Sequence, residues 1–187
     1  MADVLTADQR HRCMSRVRSK DTKPEILLRK ALWKNGFRYR VNITSLPGSP
    51  DIVLPKYRTV IFIHGCFWHG HKNCKNASIP KTNTEFWEAK ISRNQQRDQE
   101  VWRQLEAKDW CVIIVWECEL KKAVIDETII RVEAEIRLNG ERKRHEREER
   151  KASRIAYLQE RKAREEREAA LKAEIEKKSS SFMLGRI

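Results

Sequence analysis

The chain has 187 residues, 40% of them hydrophobic and 36% charged, with a formal net charge of +13. That length suits one ordinary domain with room for an extra segment, and no stretch approaches the ~20 apolar residues that a membrane span needs. The excess charge divides into +7 over residues 1–136 and +6 over 137–187, which favours a polyanionic partner, the plainer alternative being a soluble protein that is merely basic.

At the N-terminus, Met1-Ala2-Asp3 lacks a charged-then-apolar signal pattern. Five cysteines, an odd number, do not make a disulfide framework, so the expectation is a cytoplasmic protein in a reducing compartment. Thr6-Ala7-Asp8-Gln9 resembles a capping box and opens a short basic helix to about Arg18, so 1–20 reads as a basic helical arm. Thr22-Lys23-Pro24-Glu25 is a second box, with proline tolerated in the first turn. Its helix places Ile26, Leu27, Ala31 and Leu32 near one face and stops at Gly36. Phe37 to Ile43 alternates large and polar residues, the period of a half-buried strand.

After the turn-rich Leu46-Pro47-Gly48-Ser49-Pro50, the apolar runs Ile52-Val53-Leu54 and Val60-Ile61-Phe62-Ile63 read as a hairpin or meander. Gly65 to Asn83 has no periodicity and holds most of the histidine and cysteine; something other than a core must order it. Thr84 caps a long helix to about Lys108, and Val112 to Trp116 is a strand covered on both faces. A helix from about Lys121 to Asn139 ends at Gly140. This order argues for an α/β domain over 21–140, helices layered on a mixed sheet. Residues 141–187 read as a charged helical or disordered tail. Glu160 with Arg164 and Glu168 with Lys172 sit at i,i+4, and apolar residues are too sparse for a sustained heptad, with a coiled-coil or nucleic-acid arm as the alternative.

Two constellations carry chemistry. Cys66, His71 and Cys74 lie within nine residues, and Cys118 follows the buried strand. Three thiolates and an imidazole close the tetrahedral shell of a structural zinc, which would order a loop lacking its own core. The same cysteines would also serve as small buried hydrophobes, as is expected of Cys13 and Cys111. Separately, Asp51 opens one strand and His64 ends the next, so both reach one site at the strand edges. Asp51 is a hard oxygen ligand of the kind magnesium prefers, His69 is placed to take a proton from water, and Glu25 to position hydrated metal. Each has a plainer role open to it: Asp51 as a turn cap, Glu25 as part of its capping box, His64 as a core histidine.

The strings Ser45-Leu46-Pro47-Gly48-Ser49-Pro50-Asp51, Val60 through His69, Thr84-Glu85-Phe86-Trp87 and Ile114-Val115-Trp116-Glu117-Cys118 resemble the very-short-patch repair (Vsr) endonucleases, over roughly Arg10 to Leu120. The resemblance implies a restriction-endonuclease-like fold that nicks double-stranded DNA 5′ to the thymine of a T:G mismatch. It implies magnesium on Asp51 and the Ile63 backbone carbonyl, catalysis by Asp51, His64, His69 and Glu25, and zinc on Cys66, His71, Cys74 and Cys118. Phe67, Trp68 and Trp87 match aromatics that wedge into the base stack, with Lys90 and Asn94 on the DNA backbone. Phe62 and His64 stand where related nucleases carry an acid and a lysine, a departure the Vsr branch shares. Ile63 replaces a usual threonine, and the tail after Gly140 lies outside the span of the resemblance. The tail leaves open a partner, whether mismatch-repair proteins or another protein, and an alternative role in phage defence or a mobile element with looser mismatch dependence.

Overall fold

The computed structural model describes Asp8, Gln9, Arg12, Ser15 and residues 20–184. The expected arm over 1–20 falls mostly outside them, as does Cys13; Asp8, Gln9, Arg12 and Ser15 are helical. The first full helix, α1 (Lys23–Lys34), starts at the capping box, where the Glu25 carboxylate accepts hydrogen bonds from the Thr22 amide and hydroxyl. It ends before Gly36, whose φ of +86° a side chain rarely adopts. Its inward face differs from the expected one. Leu28 and Leu32 are fully buried with Glu25 and Arg29, whereas Ile26 and Leu27 are exposed. The polar pair sets this rotation, because burying Arg29 against Glu25 turns the helix by about one residue.

Phe37 to Ile43 does not form the expected strand. It touches the sheet at a single bridge, Arg40 to Val53, and Asn42, at φ +50°, ends the extended run. The two apolar runs do form a hairpin: β1 (Ile52–Leu54) pairs antiparallel with β2 (Thr59–His64) across a 3-10 turn at Pro55–Tyr57. On the other side β2 pairs parallel with β3 (Cys111–Trp116), so the sheet is mixed, in the order β1-β2-β3.

Between β2 and β3 runs α2 (Thr84–Ala107), the crossover that a parallel pair requires. Its N-cap is Asn83 rather than Thr84; the Thr84 hydroxyl instead donates back to the Pro80 and Lys81 carbonyls. Period-two alternation decides which layer each strand residue joins. Ile52, Leu54, Ile61, Ile113 and Val115 pack with Leu28 and Leu32 of α1 and with Val132 and Ile136. Val53, Val60 and Phe62 pack with Leu105 of α2 on the opposite face, with Val112 and Ile114 partly buried there. The sheet is therefore covered on both sides, as the continuous apolar run of β3 predicts.

The last helix, α3 (Ile125–Leu184), passes through Gly140 instead of stopping there. Gly140 serves a close approach: a Cβ at that position would lie 2.5 Å from Cδ1 of Tyr57. Next to it the buried Asn139 amide donates to the Tyr57 carbonyl at 2.6 Å and to Thr59 Oγ1 at 3.0 Å. These contacts tie the helix to the β1–β2 turn, so helical geometry costs the glycine less than breaking them would.

The chain divides into two compact units, the first ending at Glu141 and the second starting at Arg142. The second is helical through Leu184, exposed over 142–173 except at Lys143 and Glu146, and laced by ion pairs such as Arg161–Glu165 and Arg164–Glu168. The expected Glu160–Arg164 pair is not the one that forms. Arg164 has a carboxylate four residues away on either side and takes the C-terminal one. No described helix is long and apolar enough to cross a membrane.

Candidate active site and metal centre

The strand register places the first two residues. Val53 faces the α2 layer together with Val60 and Phe62, so Asp51, two before Val53, and His64, two after Phe62, share that face. They line an open cleft of about 740 Å³ together with Glu25, His69, Asp98 and Glu117. Oδ2 of Asp51 accepts a 2.7 Å hydrogen bond from the Ile63 amide, which seats the carboxylate at the end of β2. Burial pushes the Asp51 pKa up to about 6; the Ile63 amide lowers it and the neighbouring Glu25 charge raises it further. An ionised Asp51 is thus held at an energetic cost that a bound cation would relieve. Its oxygen chemistry fits magnesium.

Glu25 reaches the cleft from α1 but is already well partnered. Its oxygens accept from the Asp21 amide, the Thr22 amide and hydroxyl, and Arg29. Arg29, itself buried, also donates to the Asp51 carbonyl at 3.1 Å and to Asp21 at 2.6 Å. One guanidinium therefore joins the helix start to the strand start that carries Asp51, a role that spacing did not reveal.

The imidazoles of His64 and His69 stack at 3.8 Å and 15°. Burial first, and then the adjacent His69, lowers the His64 pKa to about 4, so His64 is neutral at neutral pH. Nδ1 of His69 lies 2.5 Å from Oδ2 of Asp98. Burial would raise the Asp98 pKa, but the hydrogen bond and charge of His69, with lesser contributions from His64 and Arg97, hold it below the usual carboxylate range. His64, His69 and Asp98 bring their ligand atoms within 4.8 Å of one another. Near-parallel rings nevertheless point their in-plane lone pairs past a common centre. The trio therefore suits a histidine oriented by a carboxylate better than a metal shell.

Asp98 is the residue that sequence reasoning missed, although a signal was present. Ile91, Asn94, Asp98, Val101 and Leu105 follow helical spacing along α2, which puts an acid in the stripe that faces the protein. The same stripe holds the histidine loop. Asn94 donates to the Trp68 carbonyl at 2.8 Å and Gln95 to the His69 carbonyl at 3.2 Å. Gly70, at φ +62°, permits this approach, since a Cβ there would lie 2.5 Å from the Gln95 amide nitrogen.

Behind that loop, Cys66, His71, Cys74 and Cys118 converge, their ligand atoms all within 4.8 Å of one another. Sγ of Cys118 lies 3.4 Å from Nδ1 of His71, and the His71 ring stacks on Trp116 at 4.1 Å and 2°. Burial pushes the Cys118 thiol up to about 12, with hydrogen bonding and charge from Cys66 and Cys74 adding to it. Burial raises Cys66 too, while the Asn76 amide lowers Cys74. Three thiols this close ionise together only around a cation, and a donor set of three sulfurs and one imidazole nitrogen fits zinc. Cys111 stands outside the cluster, on β3.

Three aromatics gather beside the cleft. Phe67 meets Trp68 at 5.1 Å and Trp87 at 5.2 Å, each edge-on. None of the three is buried. Lys90 Nζ lies 5.4 Å from the Trp68 ring and 5.8 Å from Trp87. Phe86, which was not singled out, extends the group against Trp87 at 5.2 Å and is 53% exposed.

Comparison with known proteins places these features in context. The family model for DNA mismatch endonuclease Vsr matches residues 2–76. The type II nicking enzyme V.NmeAIP of Neisseria meningitidis serogroup A is 51% identical over 138 residues, 73% of this chain and 98% of that protein. V.XorIIP of Xanthomonas oryzae, another type II nicking enzyme, is 46% identical over 120 residues, 64% of this chain and 88% of its own length. DNA mismatch endonuclease Vsr of Escherichia coli K12 is 45% identical over 121 residues, 65% of this chain and 77% of that enzyme.

Proposed function

The chain belongs to the Vsr family of DNA mismatch endonucleases and nicking enzymes, and from that premise we propose that it nicks one strand of duplex DNA 5′ to the thymine of a T:G mismatch, with magnesium, to begin very short patch repair. The observation that carries the reading is the Asp98–His69–His64 stack, which shares one cleft with the desolvated Asp51.

Asp51 and the Ile63 carbonyl would hold the magnesium, which would supply charge stabilisation at the scissile phosphate and the leaving oxygen. The Asp98 carboxylate accepts a hydrogen bond from the Nδ1–H of His69, leaving Nε2 to accept a proton from the attacking water. His64, kept neutral, packs on that ring and donates near the phosphate. Glu25, kept in place by Arg29, would orient water on the Asp51 side of the cleft.

Cys66, His71, Cys74 and Cys118 would hold a structural zinc, which would fix the loop carrying His69. Phe67, Trp68 and Trp87 enter the base stack, where a mispaired step is the least costly to open. Lys90 and Asn94 face the backbone, Asn94 while anchoring Trp68. The domain core is a restriction-endonuclease-like fold.

The test is a nicking assay on T:G and matched duplexes with the metal varied. Nicking confined to the T:G duplex, dependent on magnesium and lost in Asp51→Ala, is expected. Equal nicking of matched DNA would sink the mismatch reading in favour of a less selective nuclease.

A further inference from the structure

The second unit carries a charge pattern that the nuclease chemistry leaves unused. At 100° per residue, Lys143, Arg147, Arg150, Arg154 and Arg161, spaced 4, 3, 4 and 7 apart, fall within an arc of about 60° on one face of α3. No acidic residue between 143 and 161 falls in that arc, and Arg150 to Gln159 contains no carboxylate at all. The two ends of the row are paired locally, Lys143 with Glu146 and Arg161 with Glu165, and other charges of the helix pair as Arg142–Glu146, His145–Glu149 and Lys162–Glu166. Arg147, Arg150 and Arg154 are exposed and have no ion-pair partner among the described residues. A helix that stabilises itself through i,i+4 pairs has no need of three unpaired guanidinium groups in a row, which repel one another.

We propose that this face is a second DNA-contact surface, a sequence-independent grip on the phosphates of the duplex. It rests on DNA being the substrate but not on the mismatch or metal requirement. The row spans roughly 27 Å of helix axis, with its first four cations about 5–6 Å apart. Duplex DNA presents one phosphate charge per about 1.7 Å of its axis, both strands counted, a density that a row of cations about 5–6 Å apart can draw on. Guanidinium is the cation suited to that partner, since its fork matches two phosphate oxygens. V.NmeAIP is matched over nearly all of its own length by 73% of this chain, so this chain carries length that this relative lacks.

The experiment measures binding of the full chain to a fluorescent matched duplex without magnesium, across about 50 to about 200 mM salt. It compares the wild type with Arg147→Gln/Arg150→Gln/Arg154→Gln. The control, Arg144→Gln/Lys151→Gln/Lys162→Gln, removes the same charge from a neighbouring face. Glutamine keeps the helix propensity, which circular dichroism checks. The row variant is expected to bind roughly tenfold or more weakly at low salt, and its log K against log salt slope to flatten by about 2 to 3. The control should change the slope by less than about 1, and nicking at saturating DNA should stay the same. Equal losses in the two variants, or no loss in the row variant, would overturn the proposal; the latter points to an acidic protein as the partner of this face. Failure of the mismatch reading would appear only in the nicking assay, so the two are separable.

Discussion

At the residue scale, Asp51 and His64 are shifted in opposite directions by the same burial. For the metal-free protein between about pH 4 and 6, folded Asp51 binds more proton than its unfolded counterpart, so its contribution to stability falls as pH rises through that window. Folded His64 binds less, so its contribution rises as pH climbs from about 4 to 6.5, and the two slopes oppose each other. Asp51→Asn should therefore abolish nicking yet stabilise the metal-free protein at pH 7, by on the order of 2–3 kcal/mol. Urea melts at pH 5 and 7 check the sign: the variant's stability should climb with pH where the wild type stays nearly level. The same proton competes with metal, so the apparent magnesium affinity of the wild type should weaken as pH falls below about 6. Asp98 makes a separate prediction, because its hydrogen bond goes to His69 and it acts as a positioning residue. Asp98→Asn should lower kcat by roughly 10²-fold or more while leaving KM for DNA within a few-fold, since the histidine loses its oriented tautomer. An equal change in KM would argue for a purely structural role.

At the element scale, the segment from Gly65 to Asn83 has almost no regular structure of its own, one 3-10 turn at Lys75–Ala77 apart. Its order comes from the cysteine–histidine cluster at its back and from Asn94 and Gln95 of α2 at its side. Chelation, or Cys74→Ser, should raise amide exchange across this segment and remove nicking, while β2 and β3 keep their protection. Uniform loss of protection would mean that the cluster supports the whole core. The helix α3 offers the converse case, in which packing overrides a local breaker. Gly140→Ala adds about 1 kcal/mol of helix propensity but drives a Cβ to 2.5 Å from the Tyr57 ring. Overpacking of that kind costs roughly 1–3 kcal/mol, so a net fall in Tm of a few degrees is expected by thermal denaturation.

At the scale of the whole molecule, the described core contains no buried residue beyond Asn139, and the unit boundary follows at Glu141. Removing residues 142–187 should therefore leave the Tm of the nuclease unit within a few degrees, tested by calorimetry of the shortened chain. A large fall would show that the helix supports it. The chain's own pattern determined the hairpin, the crossover helix, the both-sides-covered β3 and the cysteine–histidine set, because each rests on neighbours within a few residues or on a periodicity that burial enforces. It also showed Asp51 and His64 at adjacent strand ends. Tertiary structure alone decided which face of α1 turns inward, since that depends on Arg29 meeting Glu25 and the Asp51 carbonyl 22 residues away. It likewise decided that Gly140 stays helical, through Tyr57 more than eighty residues earlier. Asp98 reaches His69 from 29 residues along the chain. Contacts across such separations leave no local spacing to read; their partners are chosen by how the layers pack.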